Sequence, residues 1–230
     1  MTSWVTEGLN EAQKCAVESI DGPVLVIAGP GSGKTRVITH RIAYLVETVG
    51  ISPRSILAVT FTNKAAREMR DRLAGLMGHF AQDLTVATFH AFCAMILRRE
   101  GSHIGLERSF VIYDQDDQLT ILKRGMEAAE IDPKRFPPRS ILATISRAKS
   151  QLIGAEGFGM SVGDYFEEIV HRVYEVYDRL LSQASAVDFD DLLLKTYVLL
   201  RDNPDVAERY QGRYVHFMID EFQDTNVAQY

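Results

Sequence analysis

Four short stretches of this chain are almost continuously apolar: Val24-Leu-Val-Ile27, Ile56-Leu-Ala-Val-Thr-Phe61, Leu84-Thr-Val-Ala-Thr-Phe89 and Val215-His-Phe-Met-Ile219. Their length and β-branched content predict strands buried on both faces, as in a parallel sheet. Between them the apolar residues recur at helical spacing. Val37, Ile38, Ile42, Leu45 and Val46 mark a helix over 36–46. Thr62 to Leu73 reads as a second helix, with a mainly basic exposed side from Lys64, Arg67, Arg70 and Arg72. His90 to Arg99 follows the third strand in the same way. Asp188 opens another helical run as an N-cap, and Asp190 and Asp191 sit in its first turn, where the helix dipole favours negative charge. That capping role is preferred to metal binding. Strands alternating with helices predict an α/β fold with a parallel sheet.

The alternation lapses between Val111 and Ala186. Asp114 caps a predicted helix over Gln115–Ala129, and Ile131 to Pro138 is a turn-rich break. Helices over 140–152 and 162–181 follow, separated by the glycine-rich 154–163. The pattern predicts a helical insertion, and hence three segments: 1–110, an inserted 111–186, and 187–230 returning to the first part. Between Pro133 and Ala155 there is no acidic residue, while Lys134, Arg135, Arg139, Arg147 and Lys149 are present. This stretch is either a solvated helix face or a patch that meets phosphates. Met1 to Gly8 is expected to be a loose leader.

Candidate chemistry gathers where predicted strands end. Ala28-Gly-Pro-Gly-Ser-Gly-Lys-Thr35 lies between the first strand and its helix, the setting a phosphate-binding loop requires. Gly29, Gly31 and Gly33, with Pro30 and Ser32, let backbone N–H groups converge on an anion, and the helix N-terminus adds its partial positive charge. Lys34 is placed to reach the β- and γ-phosphates and the Thr35 hydroxyl to ligate Mg²⁺; Arg36 joins the nucleotide-binding set at the first turn. Ala28 stands where the pattern G-x-x-x-x-G-K-[ST] has glycine. Asp220 and Glu221 follow the last strand, an arrangement in which the aspartate holds Mg²⁺ opposite Thr35 and the glutamate polarises an attacking water. Gln13 lies three residues after Asn10, so it is either half of a capping box or an amide reading an adenine edge. The second and third strands both end in Thr-Phe. Phe61 and Phe89 at these ends are either base-stacking platforms, with Thr62, Asn63, Thr88 and His90 at phosphates, or core residues beside a satisfied histidine.

Composition narrows this little. A net charge of −6 confines any nucleic-acid contact to local patches. Cys15 and Cys93 form neither a disulfide framework nor a metal cluster. No apolar run approaches membrane-spanning length and no secretory signal pattern opens the chain, so a reduced, cytoplasmic setting is expected.

Together, Leu9-Asn-Glu-Ala-Gln13, the phosphate loop, Ala58-Val-Thr-Phe-Thr-Asn-Lys-Ala-Ala-Arg-Glu-Met69, Thr88-Phe-His90, Val111-Ile-Tyr-Asp114, Ile145-Ser-Arg-Ala-Lys149, Asp188-Phe-Asp-Asp-Leu192 and Asp220-Glu-Phe-Gln-Asp-Thr-Asn226 resemble the UvrD/Rep/PcrA family of superfamily 1A DNA helicases. The resemblance covers nearly the whole chain. It implies a RecA-like P-loop NTPase core whose parallel sheet is incomplete at the C-terminus, with an all-helical 1B subdomain inserted. It implies ATP and Mg²⁺ as cofactors, Gln13 at adenine, Lys34 and Thr35 at the phosphates and metal, and Asp220 and Glu221 at the metal and in hydrolysis. Phe61, Asn63, Thr88 and His90 become single-strand contacts, and the family's own use of alanine accommodates Ala28. The implied partners are single-stranded DNA, single-strand/duplex junctions and a second RecA-like domain of the same protein. That domain supplies arginines at the γ-phosphate, so residues 1–230 alone are expected to be nearly inactive. The implied work is 3′-to-5′ unwinding in DNA repair or replication. The helicase part of a recombination helicase–nuclease, a nucleotide-gated DNA-binding module without turnover, and an unrelated P-loop kinase using Asp188–Asp191 are the competing readings.

Overall fold

The computed structural model describes residues 4–230. In chain order its main elements are α1 (Glu11–Glu18), α2 (Lys34–Glu47), β1 (Ile56–Thr60), α3 (Asn63–Met77), β2 (Thr85–Thr88), α4 (Phe89–Glu100), β3 (Val111–Ile112) and α5 (Gln115–Ala128). They continue with α6 (Pro138–Ser150), α7 (Ala155–Gly159), α8 (Tyr165–Gln183), β4 (Ala186–Val187), α9 (Phe189–Asp202), α10 (Pro204–Arg213) and β5 (His216–Ile219). The chain divides into two compact units, one of residues up to Phe89 with 208–224, the other of 90–207 with 225–230.

In the first unit, β1 is the middle of a parallel sheet ordered β2-β1-β5. Every residue of β1 is buried, as a strand covered on both faces must be. Ile42 and Leu45 of α2 and Met69 and Leu73 of α3 pack with Ile56, Ala58, Val86 and Met218 into one apolar core. Thr62 caps α3, its hydroxyl accepting from the Ala65 N–H at 3.0 Å, which is why the helix starts at Asn63.

The predicted strand Val24–Ile27 is not a strand. Among the described residues no ladder includes it, and Leu25 and Ile27 are 69% and 90% exposed. An aliphatic run signals a preference for burial, but a strand also needs a neighbour for its N–H and C=O groups, and the run acquires none here. β5 has β1 as its partner on one side, and its Phe217 is more than half exposed. The expected leader is also corrected in part. Residues 1–3 lie outside the described residues, but Trp4–Thr6 form a turn of 3₁₀-helix with Val5 and Thr6 buried.

In the second unit, α5, α6 and α8 enclose a core of Leu122, Ile141, Ile145, Val170, Val173, Tyr174 and Tyr177. Asp114 caps α5 through a reciprocal box with Asp117. α6 starts two residues before the predicted 140, since Pro138 suits a first turn whose N–H would go unused. β3 and β4 pair in parallel, Val111 with Ala186 and Ile112 with Val187, so the strand pair closes across the whole stretch 111–186. The compact units place α4 and α9 with these helices, whereas the predicted segments put 90–110 and 187–207 with the nucleotide-binding part.

Candidate functional site

The phosphate loop turns into α2 through two glycines in the left-handed region, Gly31 at φ 74° and Gly33 at φ 87°. Gly33 is doubly constrained: a Cβ there would also stand 3.1 Å from the Gln13 amide nitrogen. The Ser32 hydroxyl donates to the Gly29 carbonyl at 2.7 Å and closes the turn. Lys34 folds back over the loop, its Nζ donating to the carbonyls of Ala28 at 3.2 Å and Gly29 at 3.4 Å. Those acceptors are neutral carbonyls, beside the N-terminus of α2. Pro30 and Arg36 are exposed at either end of this turn.

The contact that sequence spacing left for the fold to make is Thr35 to Asp220. The Thr35 hydroxyl donates to Asp220 Oδ2 at 3.1 Å across 185 positions of sequence. Asp220 is 7% exposed, and its N–H continues the β5–β1 ladder onto the Val59 carbonyl. Glu221 next to it is exposed and left-handed, at φ 54°. A glutamate in that region costs on the order of 1 kcal/mol. The turn is held by the Glu221 N–H donating to Asp220 Oδ1 at 3.1 Å and by Gln223 donating to Glu221 Oε2 at 2.6 Å. No signal in the sequence marked this strained turn.

Gln13 does what a capping residue does. It exchanges hydrogen bonds with Asn10 at 3.0 and 2.9 Å, while its amide nitrogen donates to the Ser32 carbonyl at 3.0 Å. The amide thus braces the phosphate loop against α1.

The strand register gathers the remaining candidates of this unit at one end of the sheet. Thr60 pairs with Thr88 and Val59 with Ile219, so Phe61, Phe89 and Asp220 leave neighbouring strands at matching levels. The Phe61 and Phe89 rings meet edge to face at 5.6 Å between centroids, and both are half-buried rather than core. Thr62 and Asn63 are exposed beside them, whereas Thr88 is buried. His90 opens the second unit, its ring 5.5 Å from that of Phe189 at the start of α9. Burial lowers the pKa of His90, and the nearby Asp190 carboxylate works against that shift.

One basic residue is not where the acid-free stretch suggested. Lys134, Arg135, Arg139 and Arg147 are exposed, but Lys149 is completely buried. Its Nζ donates to Asp188 at 2.9 Å and Asp191 at 2.8 Å, so it is no part of a phosphate-contacting surface. Both aspartates are buried as well, and Asp188 caps α9 as predicted. Engaged in this way, Asp188 and Asp191 are not free to serve a phosphoryl acceptor, which counts against the kinase reading. The available signal was the i, i+3 spacing of the two aspartates on a helix start, which directs both toward one partner.

Among the described residues there is no cluster of three or more histidine, cysteine or acidic side chains able to hold a metal, and no helix long and apolar enough to cross a membrane. Cys15 is exposed and Cys93 buried, both as free thiols.

A family model described as the UvrD/REP helicase N-terminal domain matches residues 9–230. The chain is 46% identical over 230 residues to a Bacillus subtilis protein described as ATP-dependent DNA helicase PcrA, covering 100% of this chain and 31% of that protein. Proteins of the same description from Leuconostoc citreum and Staphylococcus aureus are 46% and 45% identical, over 98% and 96% of this chain and 30% of each relative. The chain therefore spans about a third of the length of these relatives.

Proposed function

Since the chain belongs to the family of UvrD/REP helicase N-terminal domains, with a RecA-like P-loop fold, we propose that it is the nucleotide- and single-strand-binding part of an ATP-dependent DNA helicase. The observation that carries this reading is the Thr35–Asp220 contact. It joins the end of the phosphate loop to the end of β5, the two places from which a P-loop enzyme holds its metal.

Thr35 Oγ1 and Asp220 Oδ2 stand 3.1 Å apart, close to the spacing of about 3 Å between adjacent ligands around an octahedral ion with 2.0–2.1 Å bonds. An oxygen donor pair of this kind would suit Mg²⁺, a hard cation that prefers oxygen ligands. When bound, Mg²⁺ would neutralise charge on the phosphates. The chain's own groups do the rest. The N–H groups of 31–35 and the Lys34 ammonium cradle the phosphates, and Glu221 takes the proton of the water that attacks the terminal phosphorus. Gln13 offers its remaining amide hydrogen toward an adenine edge. Phe61 and Phe89 stack bases, with Thr62, Asn63 and His90 at the strand's backbone; Thr88, paired with Thr60, is buried at the end of β2. The segment 111–186, closed by the β3–β4 pair, is the inserted subdomain.

Unwinding of duplex DNA from a single-strand junction, 3′-to-5′ movement, a second RecA-like domain supplying arginines, a cytoplasmic location and a role in repair or replication belong to the same proposal for the whole protein. The test is titration calorimetry of Mg·ATP against Asp220→Ala. Loss of the magnesium-dependent part of the affinity is expected. Equal affinity with and without Mg²⁺ in the parent protein would defeat the reading.

A further inference from the structure

The first turn of α9 carries four consecutive residues with divided duties. Asp188 Oδ1 accepts from the Asp191 N–H at 2.7 Å, and Asp191 Oδ2 from the Asp188 N–H at 3.3 Å, the two halves of a capping box. The other oxygen of each carboxylate accepts from Lys149 Nζ, at 2.9 and 2.8 Å. Tyr177 of α8 also donates to Asp188 Oδ2, at 2.9 Å. The cap of α9 is thus tied to α6 through the Lys149 ammonium and to α8 through the Tyr177 hydroxyl. Between the two aspartates, Phe189 turns outward with its ring 5.5 Å from His90, and the Asp190 carboxylate acts electrostatically on His90.

We infer that Lys149 is a positioning residue for strand binding: by holding both carboxylates of the α9 cap it fixes Phe189 and Asp190 against His90 and so sets the imidazole that meets DNA. The DNA role of His90 rests on the function proposed above; the rest stands on geometry. Two observations make the lysine's part specific. First, it lies nowhere near solvent, at 0% exposure, so its charge serves nothing but its neighbours. Second, three carboxylates surround it, Asp178 being the third at 3.4 Å, where a helix cap alone needs none. Attraction to these carboxylates keeps the ammonium charged in spite of burial. An ordinary capping box is complete with its two residues; this one has been wired to two other helices.

The experiment is NMR titration of the histidine rings in the intact protein, the His90 resonance assigned with His90→Gln, beside affinities for a thymidine oligonucleotide and for Mg·ATP. In Lys149→Met the cap should loosen. The His90 resonance should lose the ring-current shift from Phe189, and its pKa should rise toward the ordinary 6.5 as the ring is rehydrated. Oligonucleotide affinity should fall about tenfold, the scale of one lost base or backbone contact, with Mg·ATP affinity held within about twofold. Asp188→Asn keeps a capping side chain and removes one of the lysine's partners. It should move the same readouts the same way by less, and it decides the matter if the methionine variant does not fold. An unmoved His90 resonance and titration in either folded variant overturns the inference, whatever the DNA affinity does. A moved resonance with unchanged oligonucleotide affinity also overturns it, and separates that failure from the nucleotide reading, which Mg·ATP binding tests independently.

Discussion

Lys34 and Lys149 are the same side chain under opposite electrostatics. Lys34 sits over an exposed loop, its ammonium held by two backbone carbonyls that carry no net charge. Lys149 is buried among Asp178, Asp188 and Asp191, with the rings of Tyr174 and Tyr177 at 5.6 and 5.1 Å. A cation with neutral partners and access to water is prepared for an anionic ligand. A cation already outnumbered by buried carboxylates has its binding done by the fold. Charge type alone does not separate a ligand-binding lysine from an architectural one; the charge balance of its surroundings does.

The sharpest way to break this contrast is to delete each charge. Lys149→Met leaves Asp188 without a counter-charge and Asp191 with only the partly exposed Lys195 at 3.9 Å, and removing one partner of a buried ion pair costs about 3–5 kcal/mol. Denaturant unfolding should register that loss, while Mg·ATP binding by the folded fraction stays unchanged. Adding Asp188→Asn and Asp191→Asn should return most of the stability, because whole buried ion clusters are often replaceable while half of one is not. If the single variant is as stable as the parent, Lys149 is not the architectural half of the pair.

Lys34→Ala should behave as the mirror image. Stability should hardly change, and Mg·ATP affinity should drop by about 2–3 kcal/mol, the scale of a hydrogen bond to a charged group. Calorimetric titration showing equal affinity would leave Lys34 without a ligand and erase the contrast.

Phe61→Ala extends the comparison to the aromatic residues. As a stacking platform it should lose about 1–3 kcal/mol of single-strand affinity. Its half-buried ring against Phe89 makes a modest stability loss unavoidable, so the informative quantity is the ratio of the two effects. A stability loss with unaltered strand affinity would return both rings to the core.

The smallest effect is a pH dependence inside the lysine cluster. Burial outweighs the attraction of Lys149 and pushes the Asp178 carboxyl up to about 6 from its ordinary 3.8. Its Oδ1 is buried without a hydrogen bond. The folded state then binds more protons than the unfolded state between these two values, so this group's contribution is full below about 4 and declines as pH rises through 6. Asp178→Asn mimics the protonated form. Its stability relative to the parent should therefore improve between pH 4 and pH 7, read as a difference in unfolding midpoints. A relative stability that worsens over that range would mean that the charge on Asp178 is needed by Lys149.

Much of this molecule was legible before folding because its signals are local. The glycine pattern before Lys34, the caps at Asn10, Asp114 and Asp188, and the aliphatic runs of β1, β2 and β5 depend on a few neighbouring residues and on backbone sterics. The same locality explains the errors. Val24–Ile27 reads as a strand from composition, but pairing is a property of two segments, and no ladder takes it in. Lys149 reads as basic surface because no acidic residue lies between Pro133 and Ala155, though three carboxylates are adjacent in space.

By itself the sequence determined which residues carry chemistry: a phosphate loop, an acidic pair after a strand, aromatic rings at strand ends and aspartates at a helix start. These follow from residue type and short spacing, since a turn, a cap or a strand end involves only a few positions of chain. Tertiary structure alone decided which of them meet. It brought Thr35 to Asp220, braced the loop with Gln13, set Glu221 in a left-handed turn and turned Lys149 inward against Asp188 and Asp191. The physical reason is that electrostatic energy depends on distance and local dielectric, and neither can be read along the chain.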